Sequence, residues 1–222
     1  MAERDVHHPS LILWSLGNEA GYGRAHDAAA GALRRFDPSR PLHYEGPFMY
    51  DLGAPAPVSD VVCPMYTSVE EIVAWKRRAA DPRRPLILCE YSHAMGNACG
   101  SLVDYDDAFE AHEGLQGGFI WEWCEHGIPV PSGDTGPSGA PSWGYAGDFT
   151  DDPRGGNFVL DGLVGADRNP HPVLAEVRHM EPPSARPAAR RRTRPGRGGA
   201  HQPTMVHRHL RSAGELGAVC RR

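Results

Sequence analysis

The stretch Leu11-Ile12-Leu13-Trp14-Ser15-Leu16-Gly17-Asn18-Glu19 is an almost unbroken apolar run that stops on a glycine, an amide and a carboxylate. Such a run reads as a strand buried on both faces, the pattern of a parallel sheet. Outward from it, short apolar runs alternate with amphipathic stretches. A helix is expected from about Arg24 to Phe36, closed by Asp37-Pro38. Leu42-His43-Tyr44 reads as a short strand, followed by a Pro/Gly-rich loop from Gly46 to Pro57 and a third strand over Val61-Val62-Cys63-Pro64-Met65-Tyr66. Ser68 and Glu71 form a capping box for a helix running to about Ala80. Pro85-Leu86-Ile87-Leu88-Cys89 makes a fourth strand ending at Glu90, a helix spans about Ser101 to His112, and Gly118-Phe119-Ile120-Trp121-Glu122-Trp123 makes a fifth strand. From Cys124 to Asn157 the chain is rich in Gly, Pro, Ser and Asp, which predicts a long ordered loop rather than a packed element.

Strands separated by helices imply right-handed βαβ units and a parallel sheet. An open doubly wound sheet and a (β/α)8 barrel both fit. The barrel is favoured because Glu19, Glu45, Tyr66, Glu90 and Trp123 each fall at the C-terminal end of a separate strand, and in a barrel those ends converge on one face. A nucleotide-binding sheet would need a glycine-rich phosphate turn, and Gly17-Asn18-Glu19-Ala20-Gly21-Tyr22-Gly23 does not match G-x-G-x-x-G.

Composition narrows the class. The 222 residues leave room for one ordinary domain and little more. No apolar run approaches the roughly 20 residues a membrane helix needs, and Met1-Ala2-Glu3-Arg4-Asp5 lacks the layout of a signal peptide, so a soluble, cytoplasmic protein is expected. The five cysteines contain no C-x-x-C spacing and are read as free thiols. The net charge of −5 divides into −14 over residues 1–181 and +9 over residues 182–222, and the latter hold no Phe, Trp or Tyr. Two kinds of sequence therefore meet near Glu181.

Two carboxylates, Glu19 and Glu90, directly follow apolar runs. A carboxylate at a buried strand end is costly unless it is paired, hydrogen-bonded or working. Paired glutamates across a barrel mouth suit glycoside hydrolysis, one as acid/base and the other as nucleophile or base. Trp14-Ser15-Leu16-Gly17-Asn18-Glu19 and Pro85-Leu86-Ile87-Leu88-Cys89-Glu90-Tyr91-Ser92-His93-Ala94-Met95-Gly96-Asn97 resemble the two signature segments of the family 2 glycoside hydrolases, of the large bacterial β-galactosidase type. Cys63-Pro64-Met65-Tyr66, Gln116 to Trp123, and Phe158-Val159-Leu160-Asp161-Gly162-Leu163-Val164 extend the resemblance in the expected order, over roughly Met1 to His179.

The resemblance implies a partial (β/α)8 TIM barrel, strands four to eight of a catalytic domain over residues 1–179, hydrolysing terminal β-D-galactosides such as lactose by a retaining double displacement. Glu19 would be the acid/base and Glu90 the nucleophile, with their carboxyl groups about 5–5.5 Å apart and their environments pushing the two pKa values apart. Asn18 would bind the sugar 2-hydroxyl, Tyr66 would sit beside Glu90, His93 would bind galactose hydroxyls, and Trp123 would offer an apolar face to the sugar. The family holds Mg2+ beside the acid/base, which makes Glu19 a nominal ligand, but the segment supplying the other ligands has no counterpart here. Phe158 and Asp161 match positions where the family binds Na+, with Asp161 standing where Asn is often found. His7-His8 and the pair His207/His209 are read as incidental. β-Glucuronidase and β-mannosidase relatives are alternatives, and the Glu90 to Asn97 segment favours the galactosidase.

The same resemblance implies an incomplete enzyme. Met1 to Asp5 resembles the helix preceding the fourth strand, so the first three strands and the preceding sandwich domains are expected to be missing. Open strand edges would make such a piece unstable or sticky, and its activity is expected to be absent or very low, the other reading being an inactive remnant. Oligomer contacts of the family would be largely absent. The residues 180–222 are expected to be a disordered Arg/Pro/Gly-rich tail, read out of frame in a GC-rich gene, in keeping with one lysine against 22 arginines. A basic nucleic-acid-binding tail is the rival reading, and neither a nucleic-acid nor a membrane partner is expected.

Overall fold

Helix α2, Arg24–Phe36, sets the pattern for how the chain builds its elements. Ala30 and Leu33 recur on one face and pack with Trp14, Leu42, Tyr44 and Val58. The helix stops where Pro38 forces Asp37 out of the helical region, to φ −133° and ψ 88°. Helix α3, Val69–Arg78, begins with the expected capping box: Ser68 accepts from the Glu71 amide, and Glu71 reaches back to the Ser68 amide. The computed structural model describes residues 1–79, 81, 83–130, 142–150 and 156–180.

The element order is α1 (Ala2–Asp5), β1 (Trp14–Ser15), α2, β2 (Leu42–His43), α3, β3 (Leu86–Tyr91), α4 (Leu102–Ala111), β4 (Leu115–Ile120), β5 (Ile128–Pro129), β6 (Trp143–Gly144) and α5 (Val173–His179). β1 and β2 pair in parallel, Trp14 with Leu42 and Ser15 with His43. β3 and β4 pair with each other: the Leu86 amide donates to Gly114 at one end and the Trp121 amide to Tyr91 at the other. The alternating strands and helices expected from the sequence are present. Residues 61–66 are the exception, making isolated bridges at Val62, parallel to Leu86, and at Met65 rather than a continuous strand. Pro64 has no N–H to give a ladder, and only its carbonyl pairs, accepting from Cys89. The segment after Cys124 also differs from the expected loop, because β5 and β6 form a short antiparallel pair within it.

The described chain divides into two units, residues 1–89 with 105–117, and residues 90–104 with 118–180. In the first, the Trp14 cluster is anchored by Asp37, whose buried carboxylate accepts from Trp14 Nε1 at 2.9 Å and from Arg40 Nη1 at 2.6 Å. Arg40 also donates to the carbonyls of Leu11 and Val6, tying the start of the chain to β2. In the second, Ala94, Leu163, Val164 and Leu174 form the core, with Ile120 and the α5 residues Val173 and Val177 packed against it. Cys124 and Val164 bridge in parallel, so the chain beyond β4 runs alongside residues 161–164. Among the described residues Cys63, Cys99 and Cys124 are free thiols; burial pushes the Cys63 thiol up to about 12, beyond reach of ordinary alkylation. The expected tail beyond Met180, with Cys220 and the His207/His209 pair, lies outside the described residues.

Candidate active site

Three residues that follow strands or bridges have an unusual backbone. Glu19, Tyr66 and Ser92 all have φ 49°, in the left-handed region that non-glycine residues rarely adopt. They follow β1, the Val62 bridge and β3 respectively. Left-handed non-glycine residues persist where surrounding contacts over-determine them, and such positions cluster at functional sites.

The first unit holds Asn18, Glu19 and Tyr66. Glu19 is exposed, so the expected burial cost does not apply to it. The buried carboxylate that follows β2 is Glu45, fully inaccessible at the end of that strand. Its Oε1 accepts from the Glu19 amide at 2.6 Å, across 26 positions of sequence.

The second unit holds Glu90, His93, Trp123, Phe158 and Asp161. Glu90, near the end of β3, is only 9 % exposed. Asp161 is fully buried, and its Oδ2 accepts from Trp121 Nε1 at 3.1 Å and faces His93 Nε2 at 3.4 Å. His93 Nδ1 in turn accepts from the Met95 amide at 3.3 Å, which leaves the ring proton on Nε2, pointing at Asp161. The Phe158 ring meets His93 edge to face with centroids 5.8 Å apart. Asp161 Oδ1 is buried and has no hydrogen-bond partner among the described residues. Trp123 is 65 % exposed, an open apolar face.

Three residues take positions in this architecture that the sequence did not assign. Glu45 was visible as a strand-end polar residue without a role. Trp121 and Glu122 lie in the Gly118 to Trp123 run, where alternation alone does not say which side chains turn inward. Burial first, then the neighbouring Asp161 and Glu90 carboxylates, raises the Glu122 carboxyl above the ordinary carboxylate range, against an opposing effect of His126. His126 Nε2 lies 3.4 Å from Glu122 Oε2.

The metal expectations separate. Among the described residues no group of three or more His, Cys, Asp or Glu could hold a metal ion. Glu19 alone therefore does not fit Mg2+, which wants six oxygens in near-octahedral order. Asp161 is different: a buried carboxylate oxygen without a donor suits a monovalent cation held by oxygen.

Residues 1–183 match the family model for glycosyl hydrolases family 2, TIM barrel domain. The chain belongs to the family 2 glycosyl hydrolases. Among curated proteins it is similar to the β-galactosidase of Aeromonas hydrophila subsp. hydrophila, 45 % identical over 194 residues that cover 82 % of this chain and 18 % of that protein. It is similar to the β-galactosidase of Photobacterium profundum at 44 % over 191 residues, again 82 % and 18 %. The chain thus spans about a fifth of the length of these relatives. Among solved structures it resembles the β-D-glucuronidase for Dictyoglomus thermophilum, with a TM-score of 0.54 and 18 % identity over 84 % of this chain and 34 % of that one. The β-galacturonidase from Eisenbergiella tayi gives 0.53 and 18 %, over 81 % and 34 %. At that identity the structural likeness carries the fold alone. The fold of this family 2 chain is accordingly that of part of a TIM barrel, as its strand-end residues suggested.

Proposed function

We propose that this chain carries the acid/base and nucleophile of a retaining β-galactosidase acting on terminal β-D-galactosides. The observation that carries the reading is the contrast between two glutamates at strand ends. Glu19 is exposed on a tethered loop, whereas Glu90 is nearly withdrawn from solvent. An acid/base must hand a proton to the leaving group and then take one from water, which an exposed carboxyl can do. A nucleophile gains from losing its water shell, which would otherwise be stripped on attack.

In this reaction Glu19 protonates the glycosidic oxygen as Glu90 attacks the anomeric carbon, giving a covalent galactosyl enzyme. Water, deprotonated by Glu19, then releases the sugar with retained configuration. Asn18 would hold the 2-hydroxyl, and His93 would bind further galactose hydroxyls. Trp123 would present its open face to the apolar side of the sugar. His93 is suited to its role because Asp161 and Met95 fix its ring and tautomer, leaving little to reorganise on binding. Asp161 and the Phe158 carbonyl would hold Na+, which supplies a positive charge for a sugar hydroxyl to coordinate. Galactose is favoured over glucuronic acid by the β-galactosidase relatives at 44–45 % identity.

The test is hydrolysis of nitrophenyl β-D-galactoside by the full chain, beside nitrophenyl β-D-glucuronide. A rate on the galactoside only slightly above the buffer blank, in keeping with a chain that spans 18 % of its relatives, and its loss in Glu90→Gln are expected. No rate on the galactoside, an undiminished rate in Glu90→Gln, or a faster rate on the glucuronide refutes the reading.

A further inference from the structure

We infer that Glu45 is a positioning residue for Glu19, acting with Tyr44 and Gly46 as a clamp on the loop that carries it. The inference rests on the proposed role of Glu19 and adds to it the device that holds that carboxyl in place.

The loop from Gly17 to Gly23 is exposed along its length, yet it is tied from beneath at two backbone points. The Glu45 carboxylate accepts from the Glu19 amide at 2.6 Å. The neighbouring Tyr44 hydroxyl donates to the Gly21 carbonyl. Both Tyr44 and Glu45 are fully buried, and the Tyr44 ring stacks on His26 of α2 with centroids 4.3 Å apart, so the anchors themselves are fixed. Gly46 lets the loop come this close: a Cβ there would lie 2.6 Å from the Gly21 carbonyl oxygen and 2.6 Å from the Tyr44 ring.

The partners of Glu45 show what it is for. A buried carboxylate kept for stability gathers donors, because each unmet lone pair costs free energy. Asp37, in the same unit, accepts from four: Trp14 Nε1, Arg40 Nη1, and the Ser39 amide and hydroxyl. Glu45 accepts from the Glu19 amide, and its Oε2 is buried without a hydrogen-bond partner among the described residues. Its carboxylate is thus poorly satisfied as a structural group and well placed as a tether. The tethered residue is in the left-handed region, φ 49°, which a non-glycine residue leaves unless something holds it there. Releasing the Glu19 amide would let the backbone relax and swing the carboxyl away from the bond it must protonate, and a misplacement of about 1 Å can cost on the order of 100-fold in rate.

The experiment reads amide hydrogen exchange by NMR in the full chain, with Ile72 of α3, whose amide donates to the Ser68 carbonyl, as the report on folding. In the unaltered protein the Glu19 amide should exchange at least 10-fold more slowly than those of exposed Asn18 and Ala20; equal exchange overturns the clamp without recourse to any variant. Glu45→Ala should lose that protection while Ile72 keeps its own, and Glu45→Gln, whose side-chain oxygen can still accept, should restore it. Unchanged Glu19 protection in Glu45→Ala overturns the inference. In kinetics, Glu45→Ala should slow lactose, whose leaving group needs the proton from Glu19, at least 10-fold more than dinitrophenyl β-galactoside, whose leaving group does not. Equal slowing of both overturns the positioning role. If the unaltered chain hydrolyses neither galactoside, the glycosidase reading falls, while the exchange results still decide the clamp.

Discussion

Replacing Asp37 by Ala should unseat β1, the strand that leads into Asn18 and Glu19, and the size of the loss follows from what the carboxylate holds. Trp14 is 2 % exposed and its indole N–H donates to Asp37 at 2.9 Å, so losing the acceptor strands a buried donor, at about 1–3 kcal/mol. Arg40 loses a charge-assisted bond at 2.6 Å but keeps the carbonyls of Leu11 and Val6, which limits its share to the lower end of about 1.5–3 kcal/mol. These donors share one carboxylate with the Ser39 amide and hydroxyl and do not add fully. The expected destabilisation is about 3–4 kcal/mol at pH 7, within the roughly 3–5 kcal/mol seen when one member of a buried ion pair is removed. The pH dependence supplies a second check. Burial alone would raise the Asp37 carboxyl, but the hydrogen bonds from Ser39, Trp14 and Arg40 outweigh it and hold the group well below the ordinary carboxylate range. A folded-state pKa below the unfolded value of about 3.9 contributes stability that is full above that pH and is lost as pH falls through the folded value. The gap between the unaltered protein and Asp37→Ala should therefore narrow as pH drops below about 4. Urea unfolding followed by tryptophan fluorescence at pH 7 and pH 3 measures both. A loss under about 1 kcal/mol at pH 7, or a gap that does not narrow at pH 3, would refute the reasoning.

Gly162→Ala should cost about 3 kcal/mol or more, because a Cβ there would lie 2.3 Å from the Glu125 amide nitrogen and 2.6 Å from the Val164 carbonyl oxygen, backbone atoms that cannot step aside; thermal melts of the variant check this. Glu122→Gln should raise the melting temperature at pH 7 and leave it unchanged near pH 4. An acid whose folded pKa lies above its unfolded value destabilises the fold once pH exceeds the unfolded value, so removing its charge helps only there. A variant less stable at pH 7 would show instead that the contact of Glu122 with His126 outweighs its burial.

The local features read well because local physics sets them. Helix α2 spans the Arg24–Phe36 expected from its apolar face and the following Asp37-Pro38, and the α3 capping box needed only Ser68 and Glu71 three residues apart. Strands were less legible, since pairing depends on a partner distant in sequence: residues 61–66 look like a strand but contain Pro64 and make isolated bridges at Val62 and Met65. Exposure was the least legible. Glu19 and Glu90 look alike, each following an apolar run, yet one is exposed and the other nearly buried.

From the sequence alone came the family segments, the helices, and the placing of two glutamates after apolar runs, because each is written in neighbouring residues. Only the tertiary structure decided that Asp161 meets both His93 and Trp121, that Glu122 shares its surroundings with two other carboxylates, and that Glu45 holds the Glu19 amide. Those groups lie 26 to 68 positions apart along the chain, and a carboxylate's neighbours, and hence the cost of its charge, exist only once distant segments have packed.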